Sequence, residues 1–214
     1  MLTFACVALL GGLTLARAAN PATEPPVKIV VLGDSLVAGF GLSADAAFPA
    51  RLAHTLKNEG IAAEVINAGV SGDTASGGLA RFDWSVPQGT EAVILELGAN
   101  DALRGVDPAV TRAALDQILT RLKQRRIAVL LCGMLAPPNL GTEYKGAFDG
   151  IFPDLASTHG VTLYPFFLER VASEAKLNQG DGLHPNAAGV DVIVRQILPK
   201  VKELIAVARA ARGS

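Results

Sequence analysis

Five short apolar runs recur along the chain, each bounded by turn residues: Val27 to Leu32 (VKIVVL), Ala63 to Ile66 (AEVI), Ala92 to Leu97 (AVILEL), Ile127 to Cys132 (IAVLLC) and Val161 to Tyr164 (VTLY). Such continuous, Val-, Ile- and Leu-rich runs predict strands covered on both faces. Helical spacing between them predicts helices over Phe48 to Asn58, Thr74 to Phe82, Pro108 to Arg125, Glu143 to Thr158 and Phe167 to Ala175, with a last helix from Ala187. Asp107-Pro108 reads as a cap and first-turn proline, after which Ala113, Leu115, Ile118, Leu119 and Leu122 share one face. Pro153 and Pro199 are expected to kink or split their helices. Strands alternating with helices imply an α/β fold, with a parallel sheet, right-handed crossovers and helices on both faces.

Half of the 214 residues are apolar and 18% are charged, which excludes intrinsic disorder. Nineteen Lys and Arg against 20 Asp and Glu leave a net charge of -1, so a nucleic-acid or other polyanion partner is not expected. Residues 1–18 (MLTFACVALLGGLTLARA) read as a secretory signal peptide ending in the small-x-small pattern Ala16-Arg17-Ala18. No Lys or Arg precedes the apolar stretch, which leaves an uncleaved anchor as the alternative. Residues 19–26 read as a linker and 27–214 as a single domain. The expectation is an exported, monomeric protein, periplasmic or secreted, with no stable membrane insertion after signal cleavage. Beyond residue 18 the sole cysteine is Cys132, so no internal disulfide can form; inside an apolar run it reads as a buried small hydrophobe.

Ligands of parallel α/β sheets bind at the carboxyl ends of the strands, and polar residues and glycines gather there: Gly33-Asp34-Ser35-Leu36, Asn67 to Thr74 (NAGVSGDT), Gly98-Ala99-Asn100-Asp101, and Asp181-Gly182-Leu183-His184-Pro185 before the last helix. Ser35 directly follows a strand, where a hydroxyl is presented at the sheet edge; a helix-capping role for Asp34 or Ser35 is the plainer alternative. The segment GDSLVAGFG contains neither a phosphate loop, GxGxxG nor GxSxG. A serine nucleophile needs a base, and that base needs an orienting acceptor. Of the three histidines, His54 lies within a predicted helix and His159 at a helix end. His184 follows Asp181 by three residues, a spacing that lets the carboxylate fold back on the imidazole while the other ring nitrogen faces Ser35. An Asp-initiated turn with Asn186 as helix cap is the alternative, and it assigns His184 no task. Gly72 offers a backbone N–H, Asn100 a side-chain N–H and Ser35 a third donor to an oxyanion, each worth on the order of 3 to 4 kcal/mol of barrier. Taken singly, Gly72 fits a turn and Asn100 a cap.

The ordered blocks GDSL (33–36), NAGVSGDT (67–74), GAND (98–101) and DGLHP (181–185) resemble the SGNH, or GDSL, hydrolase family over nearly the whole chain from Lys28. Through SGDT, LELGANDALRG (95–105) and LYPFFLE (163–169), the chain is similar to that family's bacterial periplasmic acyl-CoA thioesterase, lysophospholipase and arylesterase group. The resemblance implies Ser35 as nucleophile, His184 as base and Asp181 as its partner, with Ser35, Gly72 and Asn100 as oxyanion donors. It also implies a flavodoxin-like three-layer sheet ordered 2-1-3-4-5, and no metal or organic cofactor. The chief departure is at Ala68-Gly69, where a more Gly-rich approach to Gly72 bears on loop mobility.

Leu36, Leu103, Leu135, Pro138 and Leu183 lie in or beside these loops and are candidate substrate contacts for acyl or aryl groups. The segment Gly133 to Gly146 resembles the family's substrate-specificity loop. The expected activity is hydrolysis of carboxylic esters and thioesters through an acyl-enzyme on Ser35. A carbohydrate acetylesterase, which shares the blocks, is the alternative within enzymes; a non-catalytic exported lipid- or glycan-binding module is the alternative from another class.

Overall fold

The computed structural model describes residues 25–213. Its five strands are β1 (Val27–Gly33), β2 (Ala63–Gly69), β3 (Ala92–Glu96), β4 (Ala128–Cys132) and β5 (Thr162–Tyr164). All pair in parallel in the order β2-β1-β3-β4-β5, as the resemblance implied. The central β3 is buried at every residue, as a strand covered on both faces must be, whereas the edge strand β2 is mostly half-exposed and accommodates Glu64 and Asn67. β2 also runs three residues beyond the apolar run, to Gly69. Pairing sets Gly69, Gly33, Glu96, Cys132 and Tyr164 in one row across the sheet. That row is the floor of the carboxyl edge.

Nine helices are described: α1 (Ser35–Ala38), α2 (Phe48–Asn58), α3 (Ala75–Ala80), α4 (Phe82–Ser85), α5 (Ala99–Leu103), α6 (Pro108–Gln124), α7 (Thr142–Asp149), α8 (Ile151–His159) and α9 (Ala187–Ala211). α2 packs with α9, and α6 with α3 and α8, which places the sheet between two helical layers. α6 starts as predicted, with the Asp107 carboxylate accepting the Ala109 N–H (2.8 Å) and Pro108 in the first turn. Its buried face comprises Thr111, Ala114, Leu115, Ile118, Leu119 and Leu122. Ala113 is exposed instead, because it lies two positions from Leu115 and helical neighbours are three or four apart.

Several predicted elements differ. The single helix over Glu143 to Thr158 is two, α7 and α8, meeting at Gly150. Pro153 consequently sits in the first turn of α8, where its missing N–H has no intrahelical acceptor to lose. α9 runs through Pro199 without being split, its buried face continuing from Ile193, Val194 and Ile197 to Val201, Leu204 and Ile205. The helix predicted over Thr74 to Phe82 breaks at Arg81 into α3 and α4. Residues Phe167 to Ala175 form turns rather than a helix. Arg170 (φ 62°) and Ser173 (φ 66°) are left-handed there, which no continuous α-helix accommodates. The buried Asn178 side chain donates to the Val171 (2.7 Å) and Glu174 (2.9 Å) carbonyls that a helix would have used.

The signal-peptide reading of residues 1–18 and most of the linker reading lie outside the described residues. Among the described residues no helix is long and apolar enough to cross a membrane. Cys132 is buried in β4 with a free thiol.

Candidate active site

Ser35 is the first residue of α1, immediately beyond β1. The turn works because the Asp34 carboxylate caps the helix by accepting the Leu36 N–H (2.9 Å), so the capping reading of Asp34 is correct and leaves the Ser35 hydroxyl uncommitted to the cap. α1 closes after four residues on Gly39, at φ 80°. Gly69, in the neighbouring strand, permits this arrangement: a Cβ there would lie 2.2 Å from the Ala38 nitrogen. This glycine is a requirement of close approach between β2 and α1.

The segment from Asp181 to Pro185 crosses above this point. Gly182, at φ 69°, turns the chain so that Asp181 Oδ1 accepts the Leu183 (2.9 Å) and His184 (3.0 Å) N–H groups. Asp181 Oδ2 lies 2.7 Å from His184 Nδ1, and His184 Nε2 lies 3.0 Å from Ser35 Oγ. The backbone N–H groups of His184 and Leu183, with the His184 ring, hold the Asp181 carboxyl down at about 2. It is therefore a carboxylate at neutral pH. The loop is fastened by Gln179, whose N–H donates to the His184 carbonyl (2.8 Å) and whose side chain donates to the carbonyls of Phe40 (2.7 Å) and Pro185 (3.0 Å). Phe40 places its ring 4.6 Å from the imidazole, tilted by 38°.

Two further predicted residues follow β2 and β3. Gly72 is left-handed (φ 81°), and its carbonyl accepts from Arg104 Nη2 at 2.8 Å. Asn100, in the second position of α5, donates its side-chain N–H groups to Asp34 Oδ2 and to the Asp73 carbonyl, both at 3.0 Å. It is not a helix cap; Gly98 holds that position at φ 116°. The buried Asp101 ties the same turn down by accepting from the Ala75 N–H and the Thr111 hydroxyl, both at 2.9 Å. Arg81 fastens the loops from below, donating to Asp73 (2.6 Å), to the Ala68 carbonyl (2.9 Å) and to the Gly33 carbonyl (2.8 Å).

The structure thus brings Ser35, Asp181 and His184 into one hydrogen-bonded chain, with Asn100 joined to the same turn through Asp34. His54 and His159 lie apart, bonded to Asn58 and Asp116. Among the predicted substrate contacts, Leu103, Leu135 and Leu183 are about half exposed and Pro138 is exposed, whereas Leu36 packs into the core. Sequence reasoning overlooked Arg81, Gln179 and Glu96. Glu96 alone carried a visible sign, a charge inside the otherwise apolar AVILELG.

A hydroxyl beside an imidazole that a carboxylate orients is an arrangement able to attack a carbonyl carbon while the imidazole takes the hydroxyl proton. The relatives carry the corresponding chemistry in their names. The chain is 39% identical to an arylesterase of Vibrio mimicus, over 78% of this chain and 84% of that one. It is 40% identical to the thioesterase 1/protease 1/lysophospholipase L1 of Escherichia coli, over 81% of this chain and 84% of that one. Among solved structures it resembles AlinE4, an esterase of the SGNH-hydrolase family, at 46% identity and a TM-score of 0.71, covering 84% of this chain and 97% of the other. The profile of the GDSL-like lipase/acylhydrolase family matches residues 31–192, and the chain belongs to that family.

Proposed function

We propose that the protein is a serine hydrolase that cleaves carboxylic esters and thioesters of acyl or aryl substrates through an acyl-enzyme on Ser35. The observation that carries this reading is the unbroken chain from Ser35 Oγ to His184 (3.0 Å) and from His184 to Asp181 (2.7 Å). Ser35 Oγ attacks the carbonyl carbon while His184 Nε2 takes its proton; Asp181 fixes the ring and stabilises the imidazolium. The carbonyl oxygen becomes an oxyanion held by the N–H groups of Ser35 and Gly72 and by Asn100. For the Asn100 N–H, the developing charge competes with the Asp73 carbonyl. Collapse breaks the bond to the alcohol or thiol, which leaves with the proton from His184. Water then attacks the acyl-enzyme, giving its proton to His184, and the acid departs as Ser35 recovers the proton.

The exposed side chains of Phe40, Leu103, Leu135 and Leu183 support an acyl or aryl substrate over an acetylated sugar, since they offer apolar surface. The protein acts as an exported monomer, periplasmic or secreted, after removal of residues 1–18. Purified protein should hydrolyse nitrophenyl esters and be labelled on Ser35 by a fluorophosphonate. Ser35→Ala should abolish labelling and lower turnover by on the order of three decades or more with folding intact. Retained turnover in that variant would sink the assignment.

A further inference from the structure

Glu96 ends the central strand β3, has no solvent exposure, and takes no part in the chemistry just described. In the row at the carboxyl edge it stands between Gly33 and Cys132. Gly33 makes room for it, because a Cβ there would lie 2.6 Å from Glu96 Oε2. That oxygen accepts the N–H of Asp34 at 3.3 Å, while Oε1 has no partner among the described residues. Asp34 is equally buried, and its carboxyl accepts the Leu36 N–H through Oδ1 and the Asn100 side chain through Oδ2.

Two carboxyl groups without solvent exposure, side by side, cannot both be ionised, because burial and mutual repulsion both oppose the second charge. The contacts decide which one keeps its proton. Asp34 has two N–H donors and the nearby His184 to support a charge; Glu96 has one long hydrogen bond and an orphan oxygen. Burial pushes Asp34 up to about 6, whereas burial and the neighbouring Asp34 charge push Glu96 well above the usual carboxylate range. On the β4 side Glu96 faces Cys132, a thiol that burial also keeps protonated.

We propose that Glu96 is a positioning residue for the oxyanion donors: a buried, uncharged carboxyl that fixes Asp34, which in turn fixes the Asn100 side chain and the backbone at Ser35. This rests on the reading of Ser35 N–H and Asn100 as oxyanion donors given above. An apolar side chain at position 96 would leave the buried Asp34 N–H without an acceptor and release the turn that carries Ser35. The donors act on charge that exists only in the transition state, so the loss belongs to kcat rather than KM.

The test compares Glu96→Leu, Glu96→Gln and the parent protein on a short nitrophenyl ester across pH, with folding followed by circular dichroism. Glu96→Leu should lower kcat by about tenfold or more with KM within about twofold. Glu96→Gln, which keeps the shape, the acceptor and the absence of charge, should restore kcat to within about threefold and leave the acid limb of the profile in place. Parental kcat in folded Glu96→Leu overturns the proposal. So does Glu96→Gln falling as far as Glu96→Leu, or an acid limb displaced downward by about one pH unit in Glu96→Gln, which would mean that Glu96 is charged. If Glu96→Leu does not fold, the rate and profile of Glu96→Gln decide alone. Fluorophosphonate labelling of the parent separates the two levels. Labelling that survives Ser35→Ala overturns the serine-hydrolase reading, whereas labelling lost with Ser35 leaves the Glu96 results to judge positioning alone.

Discussion

The Gln179 side chain reaches across 139 residues of chain to donate to the Phe40 carbonyl at 2.7 Å, and so joins the loop that carries His184 to the loop that follows Ser35. Its second bond, to the Pro185 carbonyl, makes it a clamp between the two halves of the hydrogen-bonded chain. On the proposed mechanism, Gln179→Ala should lower kcat by about tenfold, because sub-ångström loosening between the Ser35 hydroxyl and the His184 ring is magnified in the rate. Gln179→Glu should be worse than alanine, since it aims a carboxylate at carbonyl oxygens. Steady-state kinetics on all three proteins checks that order.

Gly69→Ala should be among the most damaging single-methyl changes in the protein. The added carbon would meet the Ala38 backbone at 2.2 Å, and neither strand β2 nor helix α1 has a flexible end there to give way. The expected loss is about 3 kcal/mol in urea denaturation, together with a fall in kcat as α1 and Ser35 shift. Gly60→Ala offers a control, as nothing lies within 4 Å of its added carbon, although its φ of 71° brings some backbone strain.

Arg81 ties the ends of β1 and β2 through the Gly33 and Ala68 carbonyls and holds the loop after β2 through Asp73, and its side chain is 16% exposed. Arg81→Met should cost about 3 kcal/mol, mostly because Asp73, at 13% exposure, loses its counter-ion. Arg81→Lys should recover only part of this, since an ammonium cannot reproduce the guanidinium fork. Chemical denaturation of both variants measures the difference.

The acid side of the stability curve should contain two opposing slopes. Asp181 is held at about 2 against an ordinary 3.8, so the stability it contributes is present above pH 4 and is lost as pH falls through 2. Asp34 is raised to about 6, so its contribution is present below pH 4 and is lost as pH rises through 6. Denaturation midpoints between pH 2 and 7 should show the first slope vanish in Asp181→Asn and the second in Asp34→Asn.

Leu103, Leu135 and Leu183 stand half exposed at the carboxyl edge. Replacing them together by serine should reduce kcat/KM on an octanoyl ester by about tenfold or more and leave an acetyl ester within about twofold. Equal losses on both esters would mean that the rim does not contact the acyl chain.

The strands were readable because a doubly covered strand leaves an uninterrupted apolar run; Ser35 because it directly follows such a run, and His184 and Asp181 because their three-residue spacing lies in a polar block just before the last helix. The turns at 167–175 were not readable, since two left-handed residues there are Arg170 and Ser173 rather than glycine, and Phe167 and Val171 mimic a helical stripe. Arg81 and Gln179 act largely on backbone carbonyls. Every residue supplies a carbonyl, so no pattern of side-chain types announces such a clamp. The break at Gly150 was not readable either: its backbone is right-handed, φ -69° and ψ -18°, so no left-handed glycine marks the division.

Arg212, at the end of α9, donates to the carbonyls of Pro25 and Pro26 and pairs with Glu91, so the two ends of the described chain are bound together where β1 begins. Ser35 lies just beyond the other end of the same strand, which spans about 20 Å at the usual rise per residue. Pro25 therefore lies on the side of the sheet away from Ser35. Fixed to a bead or a sensor chip at Pro25 itself, the enzyme would present its apolar rim outward to incoming ester.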